Sequence, residues 1–278
     1  MKKSAKVSQY LNKGWEFRSA DGKDWVKANV PGNIHLDLIN NELIPDPFFG
    51  NNESELQWIS DRDWTYRLFF TPDKEIQDRK NKEICFHGID TYADIFLNNK
   101  KIISSNNMFH PWFANVNDVL LPGMNELTIV LRSPIKEVLP LMESLGHTLP
   151  AENDQAGKTS PFTRKAPYHY GWDWGPCFVT SGIWKNVELF AWDYWQLSDI
   201  SIANNKVNDS IAELNVYANL FSNIQEDGKM VITESKTGKS IEYPIQIREG
   251  DNELEYSFTI DDPELWWPAG HGDQPLYD

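Results

Sequence analysis

The sequence contains few of the residues that metal sites, disulfide frameworks and membrane spans require. Among its 278 residues are two cysteines, Cys85 and Cys177, which are too few for a disulfide framework and are expected to be buried thiols. Its six histidines show no metal-ligand spacing, so we predict no metal site. No apolar run approaches the ~18 residues of a membrane helix, so we expect no membrane span.

Positive charge is also scarce, with 26 Lys and Arg residues against 41 Asp and Glu residues and a formal net charge of −15. An acidic chain repels phosphate backbones, so nucleic acid is not an expected partner. The 40% hydrophobic content argues against disorder. Met1–Lys3 is basic, but Ser4–Trp15 contains no apolar stretch. We therefore expect no signal peptide in this chain, and the cellular compartment stays open.

Helical patterns and catalytic motifs are rare as well. Short helices are predicted only at Ile34–Ile39 and at Ile135–Leu145, the second interrupted by Pro140. The chain contains neither a Gly-x-Ser-x-Gly elbow nor a glycine-rich phosphate loop, and we predict no cofactor. Alternating, aromatic-rich strand patterns occur instead at Asp63–Phe70, Glu83–His87, Ala93–Leu97, Asn125–Leu131 and Trp184–Ala191. Many short strands with turns between them favour an all-β sandwich or jelly roll.

A second unit is predicted from Leu197, which divides the chain into domains 1–196 and 197–278. Its strand patterns lie at Ile211–Phe221, Lys229–Glu234, Ser240–Ile247 and Glu253–Ile260. A complete immunoglobulin-like sandwich has about seven strands. We therefore expect the second domain to be incomplete at its C-terminal end.

Tryptophan is abundant, with 12 residues, and its most informative setting is Tyr168–Pro176. Glycines and a proline there indicate a shaped loop that holds Trp172, Asp173 and Trp174. An indole can pack against the C–H face of a sugar while a carboxylate accepts hydrogen bonds from two hydroxyls. The alternative is that both tryptophans fill the core and Asp173 caps a turn. At this point both interpretations stay open.

Three other segments receive simpler structural interpretations. Ser133–Thr163 has few strand signals, and a loop of that length is usually functional or mobile. Arg164 and Lys165 are expected to be a solvated pair. Asn51–Glu55 is expected to be a surface loop, and most of the remaining tryptophans are assigned to the core.

Taken together, these residues resemble the N-terminal part of β-mannosidases of glycoside hydrolase family 2. The most specific match is Arg164–Pro167 leading into Gly171–Pro176. The resemblance runs over nearly the whole chain. Its other motifs are Val30–Leu38, Ile44–Gly50, Leu56–Ile59, Asp63–Tyr66, Gly88–Ala93, Asn107–Pro111, Ser181–Trp184, Leu265–Pro268 and Gln274–Tyr277.

The resemblance implies a jelly-roll, galactose-binding-like domain followed by an immunoglobulin-like domain. In the family a (β/α)₈ barrel comes next and holds both catalytic glutamates. That barrel is absent from these residues, so the resemblance assigns no catalytic residue here. It implies a retaining enzyme that releases terminal non-reducing β-D-mannose. Asp173, then Trp172 and Trp174, would bind the sugar.

The partners implied are a mannose-containing oligosaccharide and the barrel of the same polypeptide. Two other functions remain open at this stage. One is a stand-alone carbohydrate-binding protein, which the tryptophan content and the jelly-roll pattern permit. The other is a family 2 glycosidase of different specificity, such as a β-galactosidase or β-glucuronidase.

Overall fold

A computed structural model describes residues 6–278 of the chain. The basic Met1–Lys3, which enters the expectation about a signal peptide, lies outside them. Strands account for 41% of the chain and helices for 12%, so the predicted all-β class is confirmed. Within residues 6–278 every helix is too short or too polar to cross a bilayer.

The chain forms two compact units, one of Val7–Ala191 and one that includes Trp192–Asp278. The sequence-based domain limits, 1–196 and 197–278, stay a prediction. In the first unit the strands are β1 (Val7–Tyr10), β2 (Glu16–Ser19), β3 (Val26–Lys27), β4 (Trp64–Phe70), β5 (Asn81–Phe86), β6 (Ile89–Asp90), β7 (Tyr92–Leu97), β8 (Lys100–Asn106), β9 (Trp112–Asn115), β10 (Asn125–Leu131), β11 (Gly182–Ile183) and β12 (Val187–Trp192).

Over the described residues these strands form two main sheets and a short pair. One sheet has the order β1-β12-β5-β9, the other the order β3-β2-β4-β10-β7-β8, and β11 pairs with β6. The central strand β10 pairs antiparallel with β4 and with β7, with Ile129 opposite Tyr66 and Ile95. The order is far from sequential, so the sandwich depends on contacts between distant parts of the chain.

The core of the first unit is built by side chains that alternate along these strands. In β10 the buried side chains are Asn125, Leu127, Ile129 and Leu131, and the residues between them are partly exposed. Side chains from both sheets join one hydrophobic cluster, in which Trp15, Phe17, Tyr66 and Phe86 are at most 1% exposed. Each such side chain contributes roughly 1.5–3 kcal/mol by leaving water. Cys85 and Cys177 are buried thiols, as predicted.

Four short helices lie in the first unit: α1 (Ile34–Asn40), α2 (Asn52–Glu55), α3 (Lys74–Gln77) and α4 (Leu139–Leu145). Helix α1 begins where the Asn33 side chain accepts a hydrogen bond from the Leu36 amide at 3.1 Å. The helix predicted at Ile135–Leu145 starts later than expected. Pro140 lies in the first turn of α4, where a proline is tolerated because its missing N–H has no intrahelical partner.

The connection from β10 to β11, residues 132–181, carries no strand. It contains α4 and two 3-10 turns, Ser160–Phe162 and Pro167–Tyr170. The scarcity of strand signals in Ser133–Thr163 therefore agrees with the structure. This connection holds the tryptophan pair that the sequence singles out.

The second unit contains β13 (Trp195–Val207), β14 (Ile211–Ser222), β15 (Glu226–Thr233), β16 (Ser240–Ile247) and β17 (Gly250–Asp261). One sheet has the order β13-β14-β17, and β15 pairs with β16 in a hairpin. The alternation of β14 predicts one face of Leu214, Val216, Ala218 and Leu220, of which the last three are buried and Leu214 is partly buried. Strand β13 is largely exposed, which explains why no hydrophobic alternation marks it in the sequence.

Candidate functional site

Local chemistry shapes the approach to the tryptophan pair. The 3-10 turn Pro167–Tyr170 starts at a proline, whose fixed φ suits the first position of a helical turn. It ends at Gly171, where φ is +98°. A Cβ at Gly171 would lie 3.0 Å from the Gln155 side chain. Both the backbone angle and the space therefore require glycine at this position.

Residues Trp172–Gly175 form a tight turn, which we call the aromatic turn. The Trp172 amide donates to the Gly175 carbonyl, and the Gly175 amide donates to the Trp172 carbonyl, both at 3.3 Å. The Gln155 side chain donates to the Trp172 carbonyl at 3.2 Å, and the Gln155 amide donates to the Tyr170 carbonyl at 2.8 Å. The turn is thus closed on itself and tied to a second part of the long connection.

The aromatic turn holds the side chains of Trp172, Asp173 and Trp174 outward. Trp174 is 82% exposed and Trp172 is 39% exposed, with their ring centroids 5.5 Å apart at an angle of 61°. Asp173 between them is also exposed. Neither tryptophan fills the core, which removes that alternative for the pair. So much indole surface facing water is unfavourable unless something packs against it.

A cavity of about 370 Å³ opens beside the aromatic turn. Its walls are mainly aromatic and come from Tyr168, His169, Trp172, Trp174, Gly175, Pro176, Phe178 and Thr180. Its volume falls within the roughly 300–1,000 Å³ range of small-molecule sites. An apolar wall, with the exposed Asp173 on the turn that supplies Trp172 and Trp174, suits a ligand that has both C–H faces and hydroxyls.

Two histidines lie against this wall in the neutral form. Burial lowers the pKa of His169 to about 4, and the positive charge of Lys165 lowers it further against the opposing effect of Asp90. Burial, Lys165 and His169 likewise lower the pKa of His35 to about 4. The His35 ring packs against Phe178 with a centroid distance of 5.6 Å. At neutral pH the wall therefore carries no imidazolium charge.

The expectation that Arg164 and Lys165 form a solvated pair is wrong for Lys165. Arg164 is exposed, but Lys165 is only 3% exposed. Its ammonium group contacts the carboxylate of Asp90 and donates to the Thr180 carbonyl at 2.9 Å. A lysine is buried only where partners accept its protons. No pattern near Lys165 reveals this, because Asp90 lies 75 residues earlier in the chain.

Asn51–Glu55 is also more than a surface loop. It contains α2, and the Glu53 carboxylate accepts a hydrogen bond from the Cys177 amide at 2.7 Å. The Gln57 side chain donates to the Cys177 carbonyl at 2.9 Å. A polar cavity of about 260 Å³ lies at these contacts, lined in part by Glu53, Gln57 and Gln155. This segment therefore supports the chain that follows the aromatic turn.

Sequence reasoning also missed part of the aromatic surface. Phe48 and Phe49 are each 75% exposed, and the Phe48 ring meets the Phe178 ring at 5.3 Å. The consecutive phenylalanines between Pro47 and Gly50 were the available signal, since such a pair rarely stays exposed without a role. Among residues 6–278, no cluster of three or more His, Cys, Asp or Glu side chains is arranged to hold a metal ion.

Comparison with known proteins places this geometry in a family. Residues 15–185 match the model described as the glycosyl hydrolase 2 galactose-binding-like domain. The chain is 36% identical to β-mannosidase B of Thermothelomyces thermophilus, over 96% of this chain and 31% of that protein. It is 29% identical to a probable β-mannosidase of Caenorhabditis elegans, over 95% of this chain and 31% of that protein.

Solved structures give the same picture. The β-D-mannosidase of Dictyoglomus thermophilum superposes with a TM-score of 0.90 at 38% identity, over 98% of this chain and 33% of that one. An exo-chitosanase of Amycolatopsis orientalis, at 17% identity and a TM-score of 0.71, covers 98% of this chain and 31% of its own, and shares the fold.

The chain thus spans about a third of the length of the curated relatives it matches. The matched residues contain the long connection, the aromatic turn and all strands of the sandwich except β1 and β12. The chain therefore belongs to glycoside hydrolase family 2, with β-mannosidases among its relatives, and residues 15–185 form the galactose-binding-like domain of that family.

Proposed function

We propose that this chain is the N-terminal, non-catalytic part of a retaining β-mannosidase that removes terminal non-reducing β-D-mannose from oligosaccharides. The names of its relatives support the sugar and the reaction. The observation that carries a role for this chain is the aromatic turn, which presents Asp173 between two exposed indoles. Its backbone is closed by its own hydrogen bonds and by Gln155, which reduces the conformational freedom that binding has to remove.

In this proposal the first domain supplies the aromatic turn to one wall of the active-site pocket. Asp173 accepts hydrogen bonds from two mannose hydroxyls, which a carboxylate does more strongly than a neutral acceptor. Trp172 and Trp174 pack near the sugar ring, whose C–H groups are attracted to an indole face. These contacts bind and orient the substrate, and they move no proton and form no covalent bond.

The chemistry itself belongs to a (β/α)₈ barrel elsewhere in the same polypeptide. A retaining glycosidase uses one carboxyl group as nucleophile and another as acid and base, about 5–5.5 Å apart. No residue of this chain is assigned either role, so the 278-residue chain alone is expected to be inactive. The proposal treats residues 1–196 as the jelly-roll domain and 197–278 as the immunoglobulin-like domain.

The first prediction tests the aromatic turn in the full-length enzyme. Asp173→Ala should lower kcat/KM on a chromogenic β-mannoside by more than tenfold, or about 1.4 kcal/mol of transition-state stabilisation. The reason is the loss of charge-assisted hydrogen bonds to the sugar. The kcat/KM of Asp173→Asn should lie between those of the wild type and Asp173→Ala, because an amide keeps the shape of the side chain and one acceptor oxygen.

Asp118→Ala is the matched control, since Asp118 is another exposed aspartate of the first unit, outside the long connection. It should leave kcat/KM unchanged. Normal kcat/KM in Asp173→Ala at an unchanged melting temperature would contradict the role of the turn. A wild-type enzyme that prefers a β-galactoside or β-glucuronide would contradict the specificity. Tight, saturable binding of manno-oligosaccharides to the 278-residue chain would favour a stand-alone binding protein instead.

A further inference from the structure

A buried ion pair lies at the base of the segment that carries the aromatic turn. The side chain of Lys165 is 0% exposed, and that of Asp90 is 4% exposed. The Lys165 ammonium group donates to the Asp90 carboxylate, to the Thr180 carbonyl at 2.9 Å and to the Thr180 hydroxyl at 3.3 Å. These three contacts match the three donors of an ammonium group.

The partners of Lys165 are themselves held in place. The Thr180 hydroxyl donates at 2.9 Å to Oδ2 of Asp90, the same oxygen that Lys165 contacts. The other oxygen of Asp90, Oδ1, accepts a hydrogen bond from the Thr91 hydroxyl. We call Asp90, Lys165 and Thr180 the buried clamp. Every polar group in the clamp has a partner, so its geometry is defined in direction as well as in distance.

The clamp lies where the segment leaves and rejoins the sandwich. Asp90 ends β6, which pairs with β11 so that Asp90 lies opposite Gly182. Lys165 comes just before the 3-10 turn Pro167–Tyr170, and Thr180 comes just before β11. Residues 166–179, with the aromatic turn among them, are thus closed at their base by one ammonium group. Thr180 also lines the cavity beside the turn, so the clamp extends to the cavity wall.

Stability alone does not account for a charged pair at this place. Removing two charges from water is costly, and an apolar pair of similar volume often serves a fold equally well. Burial lowers the pKa of Lys165, although Asp90 acts to raise it. What the ion pair adds over apolar packing is direction, since it connects three chain segments through hydrogen bonds of defined geometry.

We infer that Lys165 is a positioning residue, which acts with Asp90 and Thr180 to fix the orientation of the aromatic turn for sugar binding. The inference rests on the proposed function, because it assigns to the clamp an effect on the same site. It adds a function for residues that contact no substrate. The clamp therefore acts on the sugar only through Asp173 and the two tryptophans.

The test uses the full-length enzyme and a variant that removes both charges together. The double variant Lys165→Met, Asp90→Asn leaves no unpaired buried charge, so it should fold. We expect its kcat/KM on a β-mannoside to fall at least tenfold, because a displacement of about 1 Å at a binding group is costly. Leu127→Ala, which opens a cavity in the sandwich core away from the turn, is the control for lost stability. It should reduce the melting temperature without that loss.

A mutant cycle with Asp173→Ala separates positioning from a general structural effect. If the clamp acts through Asp173, adding its removal to Asp173→Ala should cost much less than it costs in the wild type. Full multiplication of the two effects in this cycle, and also in the matching cycles with Trp172→Ala and Trp174→Ala, would overturn the inference. So would a double variant with wild-type kcat/KM.

Hydrogen exchange gives a measurement that does not depend on activity. In the double variant, amides of residues 166–179 should exchange faster, while those of β10 and β4 should keep their protection. Unchanged exchange in residues 166–179 would overturn the inference. If the wild-type enzyme does not cleave a β-mannoside, the proposed function fails, and the exchange result still decides whether the clamp orders the turn. Thr180→Val, which removes one hydroxyl at similar volume, carries the same exchange test if the double variant does not fold.

Discussion

Two aspartates only four residues apart, Asp90 and Asp94, hold cations in opposite surroundings. Asp90 and Lys165 have side chains that are 4% and 0% exposed. Asp94 is 22% exposed, and its partners Lys101 and Arg132 are 49% and 28% exposed. They lie on different strands: Asp90 ends β6 and is covered by Lys165 and Thr180 of the long connection, while Asp94 lies on β7 with a partly exposed side chain.

The two clusters also differ in which group is perturbed. Burial raises the pKa of Asp94, but hydrogen bonds from Lys101, Ser104 and Arg132 outweigh it and lower the pKa to about 2. In the buried cluster the perturbed group is the cation, because burial disfavours the charged form of Lys165 and lowers its pKa. The exposed cluster has several interchangeable partners in water. The buried one has a single arrangement, which is why we assign it an orienting role.

The largest expected effect compares the loss of one cation from each cluster. Lys165→Met alone leaves the Asp90 carboxylate buried without its main partner, and should lower the free energy of unfolding by about 3–5 kcal/mol. Arg132→Met should cost about 1 kcal/mol or less, because water and Lys101 remain available to Asp94. Urea unfolding of both variants measures the difference. Equal losses would mean that burial does not distinguish the two clusters.

The second prediction concerns the loss of stability in acid. As the pH falls, the histidines near the buried cluster lower the free energy of unfolding before Asp94 does. The pKa of His35 is about 4 in the fold and 6.5 ordinarily. Between these values the unfolded chain binds more protons, so stability falls as the pH drops from 6.5 towards 4. The loss is about 3 kcal/mol for His35, and His169 contributes in the same direction.

Asp94 has a different window, since its stabilising effect is complete above pH 3.8 and is lost as the pH falls through about 2. Urea midpoints measured at pH 7, 5.5 and 4.5 should therefore decline in the wild type and in Asp94→Asn alike. His35→Phe should flatten the decline, because its ring stays neutral at every pH. An unchanged slope in His35→Phe would show that this histidine does not carry the effect.

The smallest expected effect tests whether the backbone also fixes the segment above the clamp. Gly171→Ala should lower the free energy of unfolding by about 1–2 kcal/mol, because φ is +98° there and the new Cβ meets Gln155. Gly123→Ala is the control, since nothing lies within 4 Å of a Cβ at that position. If both variants had the free energy of unfolding of the wild type, the backbone at Gly171 would not help to fix this segment, and the clamp alone would order it.

Much of the fold could be read from local pattern. Alternation predicted β4, β7, β10 and β14 within a residue or two, because one buried face of a strand requires it. Glycine and proline around Trp172 predicted a shaped loop. Strand β13 could not be predicted, since its side chains are mostly exposed and no burial selects an apolar alternation. The assignment of most other tryptophans to the core holds for Trp15 and Trp64, but not for Trp266, which is 57% exposed.

The sequence by itself determined the all-β class, the family resemblance and the presence of an aromatic turn around Asp173. These depend on neighbours along the chain, which the order of residues displays directly. Only the tertiary structure decided that Lys165 is buried, that it meets Asp90, and that Phe48 extends the aromatic surface to Phe178. Whether a charge faces water depends on what distant segments cover it, and that is a property of the folded chain.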